Sequence, residues 1–393
     1  VVNFNTQLTK NLILDFGVDA RTYVGYHFRN VNDRLGADVY FDNKDINNPN
    51  RYLYGTYSAS PSLNPWTDVK DTEKIEYNNN GYVRWYGAFT QLEYSNDNFS
   101  AFFRGAISNQ SHQRFDYYDY QDQYQDSEKV SNVGYNVKGG AAYNFAEKHA
   151  VYANAGYYSR QPYHDNIYLN FTNQVNPLTE NEKVLGLEAG YTFKSKMFTA
   201  SLNAYRTTWE DRVVTTSTVQ ATNGTIGTTP VLAGDVIFTE NQGVKQIHSG
   251  LELDFVFKPT SNIDVKGFAS MGNWEYADKA ISTKRDENLI PLLVAGTDLD
   301  GGKVGDAAQT TASIGATYEI LERFKIDGNY RYVDNLYASI DPVNFKTQAA
   351  NDKGSLQLPG YGLLDAGISY KMLVGKEKDK SVDLRFNINN VLD

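Results

Sequence analysis

Cysteine is missing altogether from the 393 residues, and methionine (3) and proline (10) are scarce. Without cysteine there are no disulfides, no thiolate metal sites and no thiol nucleophile. Long apolar runs are missing as well. Mean hydropathy is −0.53, and no stretch approaches the roughly 18–20 apolar residues a membrane helix needs. That excludes a helical membrane protein. It leaves a β-barrel open, because a barrel strand shows lipid only every second residue. Positive charge is short too: 37 Lys and Arg stand against 47 Asp and Glu, a net charge of −10. With no basic stripe interleaved with aromatics, nucleic acid is not an expected partner. Residues 1–20 lack the pattern of a secretory leader, and Val1 reads as mid-strand, so the expectation is a piece of a longer chain.

Aromatics and glycine are plentiful instead, with 30 Tyr and 31 Gly, a balance that suits strands and tight packing over helix bundles. The aromatic and aliphatic residues alternate with polar ones. Over 382–390, Val382, Leu384, Phe386 and Ile388 take one face, and Asp383, Arg385, Asn387 and Asn389 the other. Over 247–257, Ile247, Leu251, Leu253, Phe255 and Phe257 oppose Gln246, His248, Glu252 and Asp254. Successive strand side chains point to opposite faces, so each segment separates a greasy environment from a wet one.

Tracing this alternation between Gly, Asn, Asp, Ser and Pro breaks predicts fourteen strands. They lie near 2–8, 12–24, 83–95, 99–109, 133–145, 150–158, 183–193, 197–209, 242–257, 263–275, 309–318, 323–333, 361–371 and 381–391. Every second connection is short, and the others (25–82, 110–132, 159–182, 210–241, 276–308, 334–360) are long. Outer-membrane barrels have short periplasmic turns and long extracellular loops. The fold class expected is therefore all-β, a transmembrane antiparallel β-barrel. Leu14, Phe16, Val18, Phe103, Ile107, Leu202, Leu364 and Ile368 belong to the outward face, and Asp15, Asp19, Arg104, Lys138, Glu188, Asp327 and Asp365 to the lumen. Tyr and Phe crowd strand ends, as at Tyr143/Phe145 and Tyr191/Phe193, where amphipathic rings suit the membrane interfaces.

Several stretches resemble the barrel of TonB-dependent outer-membrane receptors, in forms common in Bacteroidota. They are NAGYYSRQP (154–162), NEKVLGLEAGY (181–191), NQGVKQIHSGLELDF (241–255), LPGYGLLDAGISYK (358–371) and FNINNVLD (386–393). The resemblance implies a 22-stranded barrel, in which the fourteen strands run from the eighth to the twenty-first. Residues 1–393 then form a single barrel domain, a C-terminal part with the plug and the last strand outside it. A piece of this kind neither closes nor transports alone. The implied function is an outer-membrane receptor and transporter that captures a scarce extracellular solute and imports it with TonB-coupled energy. Its implied partners are outer-membrane lipid, the TonB-ExbB-ExbD system acting through the plug, a surface lipoprotein, and a siderophore, vitamin, glycan or peptide. The alternatives are a passive porin-like or surface-binding barrel, and, further off, a soluble β-rich module or an outer-membrane enzyme.

No catalytic constellation is legible, and neither an enzyme nor a cofactor is expected. The five histidines (27, 112, 149, 164, 248) show no ligand spacing, and His248 reads as a lumen residue. The densest chemistry is loop 116–128, where Asp116, Tyr117, Tyr118, Asp119 and Tyr120 lead an alternation of carboxylates and rings. Rings stack on apolar faces and carboxylates bind hydroxyls or cations, so these residues are ligand candidates; the plainer reading is a solvated loop. Arg160, Trp209 and Arg212 follow strands at the loop-bearing rim and either contact a ligand or anchor the rim. Asp298, Asp300 and Asp306 faintly echo a calcium loop but lack its closing Glu.

Overall fold

The alternation becomes one continuous antiparallel sheet. A computed structural model of the chain describes residues 1–56, 73–338, 355–375 and 377–392. Parts of the loops read over 25–82 and 334–360, and Asp393, lie outside the described residues. In chain order the strands begin with β1 (Val2–Thr9), β2 (Leu12–Asn30), β3 (Tyr40–Asp42), β4 (Arg51–Leu53), β5 (Lys74–Ser95) and β6 (Phe99–Asp116). Then come β7 (Val130–Phe145), β8 (His149–Arg160), the helical turn α1 (His164–Ile167), β9 (Glu182–Lys194) and β10 (Phe198–Val219). They continue with β11 (Gly224–Ile226), β12 (Thr229–Val231), β13 (Val236–Thr260), β14 (Ile263–Ala277), β15 (Lys279–Arg285) and β16 (Pro291–Asp298). The last are β17 (Thr310–Leu321), β18 (Phe324–Asp334), β19 (Leu336–Tyr337), β20 (Gln357–Leu358), β21 (Tyr361–Val374) and β22 (Lys380–Ile388).

Fourteen of these form the wall in the order β1-β2-β5-β6-β7-β8-β9-β10-β13-β14-β17-β18-β21-β22. Each bonds its sequence neighbour in the wall, and all fourteen expected strands are present. Pairs such as β3–β4, β11–β12 and β19–β20 are small hairpins within the long connections.

Register keeps the two faces separate. Leu202 pairs with Leu253 and Tyr191, Leu253 with Ala269, and Ala269 with Ala312. One step along, Asn203 pairs with Glu252 and Gly190. Residues directly opposite one another share a face, so an apolar exterior and a polar interior run around the wall. The outward residues stay exposed, as Phe103 (53%), Ile107 (58%) and Phe386 (61%) show, which is where lipid belongs. At the short-turn end, outward rings meet along and across strands. Tyr94 lies 6.1 Å from Phe99, Tyr143 6.2 Å from Phe145, Phe193 6.3 Å from Phe198, and Phe198 6.2 Å from Phe257. They form one interfacial girdle.

The structure departs from expectation above the lipid band. Strands β2, β5, β6, β10 and β13 run on into segments read as loop, to Asn30, from Lys74, to Asp116, to Val219 and from Val236. In addition, β15 pairs with upper β13 and β16 pairs with β15, extending the sheet outside the wall path. In these stretches neither face meets lipid, so the apolar-polar alternation that marks the wall is lost. Thr215, Thr216, Ser217 and Thr218 show this, paired with Glu240, Thr239, Phe238 and Ile237.

Candidate functional site

The inner wall is a hydrogen-bonded polar surface. Tyr152 donates its hydroxyl to Glu188 Oε1 (3.2 Å) and Asn203 Oδ1 (2.9 Å), and Asn203 Nδ2 donates to Glu252 Oε2 (3.2 Å). Higher up, Trp274 Nε1 donates to the Tyr205 hydroxyl at 2.9 Å, and His248 stacks on Trp274 at 5.3 Å. Glycine lets these rings lie flat. A Cβ on Gly190 would sit 2.3 Å from the Tyr152 ring, and one on Gly250 2.5 Å from the Tyr205 hydroxyl.

Where the wall meets the loops, two of the sequence candidates converge on one buried carboxylate and a third, Trp209, lies beside them. Glu182 opens β9 opposite Arg160, the last residue of β8. On β10 a bulge between Trp209 and Arg212 interrupts the pairing, with Asp211 in the left-handed region at φ 59°. The extra residue brings Arg212 onto the inward face beside Trp209. Arg212 Nε then lies 2.9 Å from Glu182 Oε1, and Arg160 pairs with Oε2. Arg212 also donates to Gln246 Oε1 at 2.5 Å and lies 5.7 Å from the Trp209 ring centre. Arg160 covers the Tyr163 ring at 4.7 Å and donates to its hydroxyl at 3.0 Å. The Glu182 side chain is 8% exposed, those of Arg160 and Arg212 42% and 35%. Two guanidiniums share one carboxylate at the mouth of the lumen, framed by rings, with Glu180 and Asp211 lining the same cleft. Such a surface offers charged partners of both signs to a polar solute and rings on which planar groups stack.

The residues of loop 116–128 are placed elsewhere and tie loops together. Asp116 is 2% exposed, ion-paired with Arg114 at 2.9 Å, and its Oδ1 accepts the amides of Tyr118 and Asp119. Tyr118 is 3% exposed and donates to the Lys74 carbonyl at 2.8 Å, while Arg51 donates to its hydroxyl at 2.7 Å. The Tyr117 hydroxyl accepts from Asn80 at 3.1 Å, and that of Tyr120 from the Asn173 amide at 3.0 Å. Burial, and then the charge of Asp116, raise the Asp119 carboxyl above its ordinary value. Asp298 closes a turn by accepting the Asp300 amide (3.2 Å), and Asp306 donates its own amide to the Tyr337 carbonyl (3.1 Å). Among the described residues, no group of three or more His, Cys, Asp or Glu side chains is arranged to hold a metal.

Sequence reasoning missed three residues at this end of the molecule. Glu182 carried no signal beyond an acid at a strand start. His112 and His164 are 52 positions apart, and their pairing exists only in space. On β6 the outward apolar residues end at Ile107, followed outward by Asn109, Ser111 and Gln113, so His112 lies above the lipid band. Its Nδ1 is 3.2 Å from His164 Nδ1, while Gln110 Nε2 contacts its Nε2 at 2.9 Å. Burial and then the neighbouring His164 hold the His112 imidazole down to about 4, and burial lowers His164 too.

A family model described as TonB dependent receptor-like, beta-barrel, matches residues 2–391. Solved structures share the fold. The copper transporter OprC matches with a TM-score of 0.59 at 13% identity, over 98% of this chain and 49% of that one. The ferric citrate transporter FecA in its unliganded form matches at 0.59 and 14%, over 100% and 49%. The siderophore receptor PiuA from Acinetobacter baumannii matches at 0.56 and 16%, over 98% and 50%. The chain thus spans about half the length of each. With lipid-facing rings outside, polar residues inside and a family match along nearly its whole length, this chain belongs to the TonB-dependent receptor-like β-barrel family of the bacterial outer membrane.

Proposed function

We propose that the complete protein is an outer-membrane receptor that captures a scarce extracellular solute and imports it with energy delivered through a TonB-type partner. The observation that carries this reading is the site around Glu182. There Arg160, Glu182 and Arg212 tie the upper parts of β8, β9 and β10 together, and their charged groups are presented with Trp209 and Tyr163 at the mouth of the lumen. A passive pore has no need of a clamped ring-lined mouth, whereas a receptor needs rigid groups that meet the solute before passage. The transporters and receptors that share the fold support the same reading. Arg160, Trp209 and Arg212 are the residues proposed to meet the solute; Asp116, Tyr117, Tyr118, Asp119 and Tyr120 hold the surrounding loops in place.

The test is uptake by cells carrying the full-length gene. Growth on single defined solutes, compared between wild type and a deletion strain, identifies the cargo. Import that stops when the proton gradient is collapsed or the TonB partner is deleted supports the reading. Import that continues unchanged would establish the passive pore instead.

A further inference from the structure

Above Tyr94 of the lower girdle, the outward residues of β5 run Leu92, Thr90, Ala88 and Tyr86, and then Arg84. Register fixes their face. Ala88 pairs with Val18 and Ile107, Tyr86 with Ala20 and Asn109, and Arg84 with Thr22 and Ser111. Directly opposed residues share a face, so Arg84 points away from the lumen. With a rise of about 3.3 Å per residue and the tilt of barrel strands, the span from Tyr94 to Arg84 climbs about 25 Å. That is the height of a lipid-facing band. The outward rings of Tyr86 and Tyr135, 55% and 47% exposed, with Tyr157 6.1 Å from Tyr135, mark this second interface.

Arg84 is exposed and has no hydrogen-bond or ion-pair partner among the described residues. The other outward cations at this height are differently placed. Lys183 pairs with Asp211 (2.6 Å), and Lys245 with Glu210 (3.1 Å) and Asp278 (2.9 Å). Arg206 faces lipid beside Ser249, but beneath these carboxylates and Glu275, which binds Lys303 at 2.6 Å. The four acids and four bases of that patch cancel.

Around Arg84 the row is uncharged: Thr22 on one side, Ser111 and then Ser131 on the other. Above it, the segment leading into β7 carries Glu128 and Lys129, which offset each other, and Asp126. Asp126 bridges Phe115, about 13 Å up β6 from Ser111, beyond a Debye length at physiological salt. A bare guanidinium on the lipid side is costly in hydrocarbon and stable at its boundary, where a headgroup can supply the anion.

We infer that Arg84 binds a phosphate of a lipid in the extracellular leaflet. The guanidinium presents a donor fork to two phosphate oxygens, and the exposed Thr22 hydroxyl stands beside it. The acyl chains run down the strip below, over Ala20, Ala88, Val18 (56% exposed) and Ile107 (58%). A free phosphate would gain the fork but not the apolar strip, and this commits the site to a lipid.

The experiment uses the full-length protein, stripped of lipid in detergent and incubated with diphosphoryl lipid A, dephosphorylated lipid A or inorganic phosphate. Native mass spectrometry reads what stays bound. Wild type is expected to retain diphosphoryl lipid A, and Arg84→Gln about fivefold less, the factor one headgroup cation is worth. Arg84→Lys should retain an intermediate amount, because the charge remains and the fork is lost. Arg206→Gln should match wild type. Arg84 has no partner to lose, so its replacement leaves folding intact, which the heat-dependent gel mobility of the barrel checks. Equal retention by Arg84→Gln overturns the inference, as does an equal loss in Arg206→Gln, which would make any lipid-facing cation sufficient. It is also refuted if dephosphorylated lipid A is held as well as the phosphorylated form, or if inorganic phosphate binds with the same Arg84 dependence. Retention needs neither cargo nor energy, so the outcome is independent of the proposed import.

Discussion

His112 and His164 face each other through their Nδ1 atoms at 3.2 Å, joining the upper end of β6 to α1. Both are neutral at pH 7, because burial holds their pKa values below the ordinary 6.5, His112 at about 4. The open form of the connection takes up protons near 6.5 and the closed form resists them to about 4. Stability of the closure is thus complete above pH 6.5 and is lost as pH falls toward 4. Amide exchange in residues 161–176, corrected for intrinsic rate, should show an opening constant rising about tenfold per pH unit across that window. His112→Gln should remove most of the dependence, since burial alone still depresses His112 when His164 is changed. A profile equally steep in this variant would show that other groups hold the connection.

Glu182→Gln removes the carboxylate that both Arg160 and Arg212 pair with in their shared clasp. Breaking a buried pair by deleting one partner costs about 3–5 kcal/mol when burial is full, and the half-exposed guanidiniums reduce this to about 1–2 kcal/mol. The loss should appear as faster exchange and proteolysis at the upper ends of β8 and β9 and in the connection between them, with the lipid-bound lower parts of the strands unaffected. Unchanged protease sensitivity would mean the clasp does not hold that connection.

Leu253 lies on the lipid side, midway between the Phe198–Phe257 girdle pair and the paired Arg206 and Ser249. Leu253→Arg is expected to impair membrane insertion by about 2–4 kcal/mol. Glu252→Gln, one residue away on the lumen face, should insert normally while loosening Asn203. Folding yields into lipid vesicles read both, and equal tolerance would mean the faces are misassigned.

Gly190→Ala drives a methyl into the Tyr152 ring. The ring can rotate away only by giving up Glu188 and Asn203. The expected loss is about 1–3 kcal/mol, measured by urea unfolding in detergent. Adding Tyr152→Ala to Gly190→Ala should then cost little more. Additive losses would show that the clash is not the cause.

The wall was legible because lipid imposes a strict period of two on Leu12 through Ala20, on Phe198 through Ala204 and on Val382 through Ile388. The exterior sheet was not, because Thr215–Thr218 and the paired Ile237–Glu240 have no lipid to sort them. Residues at the rim were visible as types: Arg160, Trp209 and Arg212 stand out at strand ends. That the two arginines meet on Glu182, with Trp209 against Arg212, depends on a bulge at Asp211, an aspartate in the left-handed region with no distinctive neighbour in sequence. Likewise the aromatic-acidic loop 116–128 looked like a ligand surface because its composition cannot reveal that Asp116 and Tyr118 are spent on backbone amides and carbonyls.

β13 is 25 residues long and serves two parts of one sheet, the lipid-bound wall below and the exterior extension beside β15 above. A single unbroken strand cannot slip in one without losing its pairing in the other. The exterior sheet is therefore anchored by the membrane itself: the solvation of Leu251, Leu253 and Phe257 by lipid sets the height at which Phe238 and Glu240 stand above the cell surface. Changes in bilayer thickness at the girdle would move that platform as a rigid mast moves with its hull.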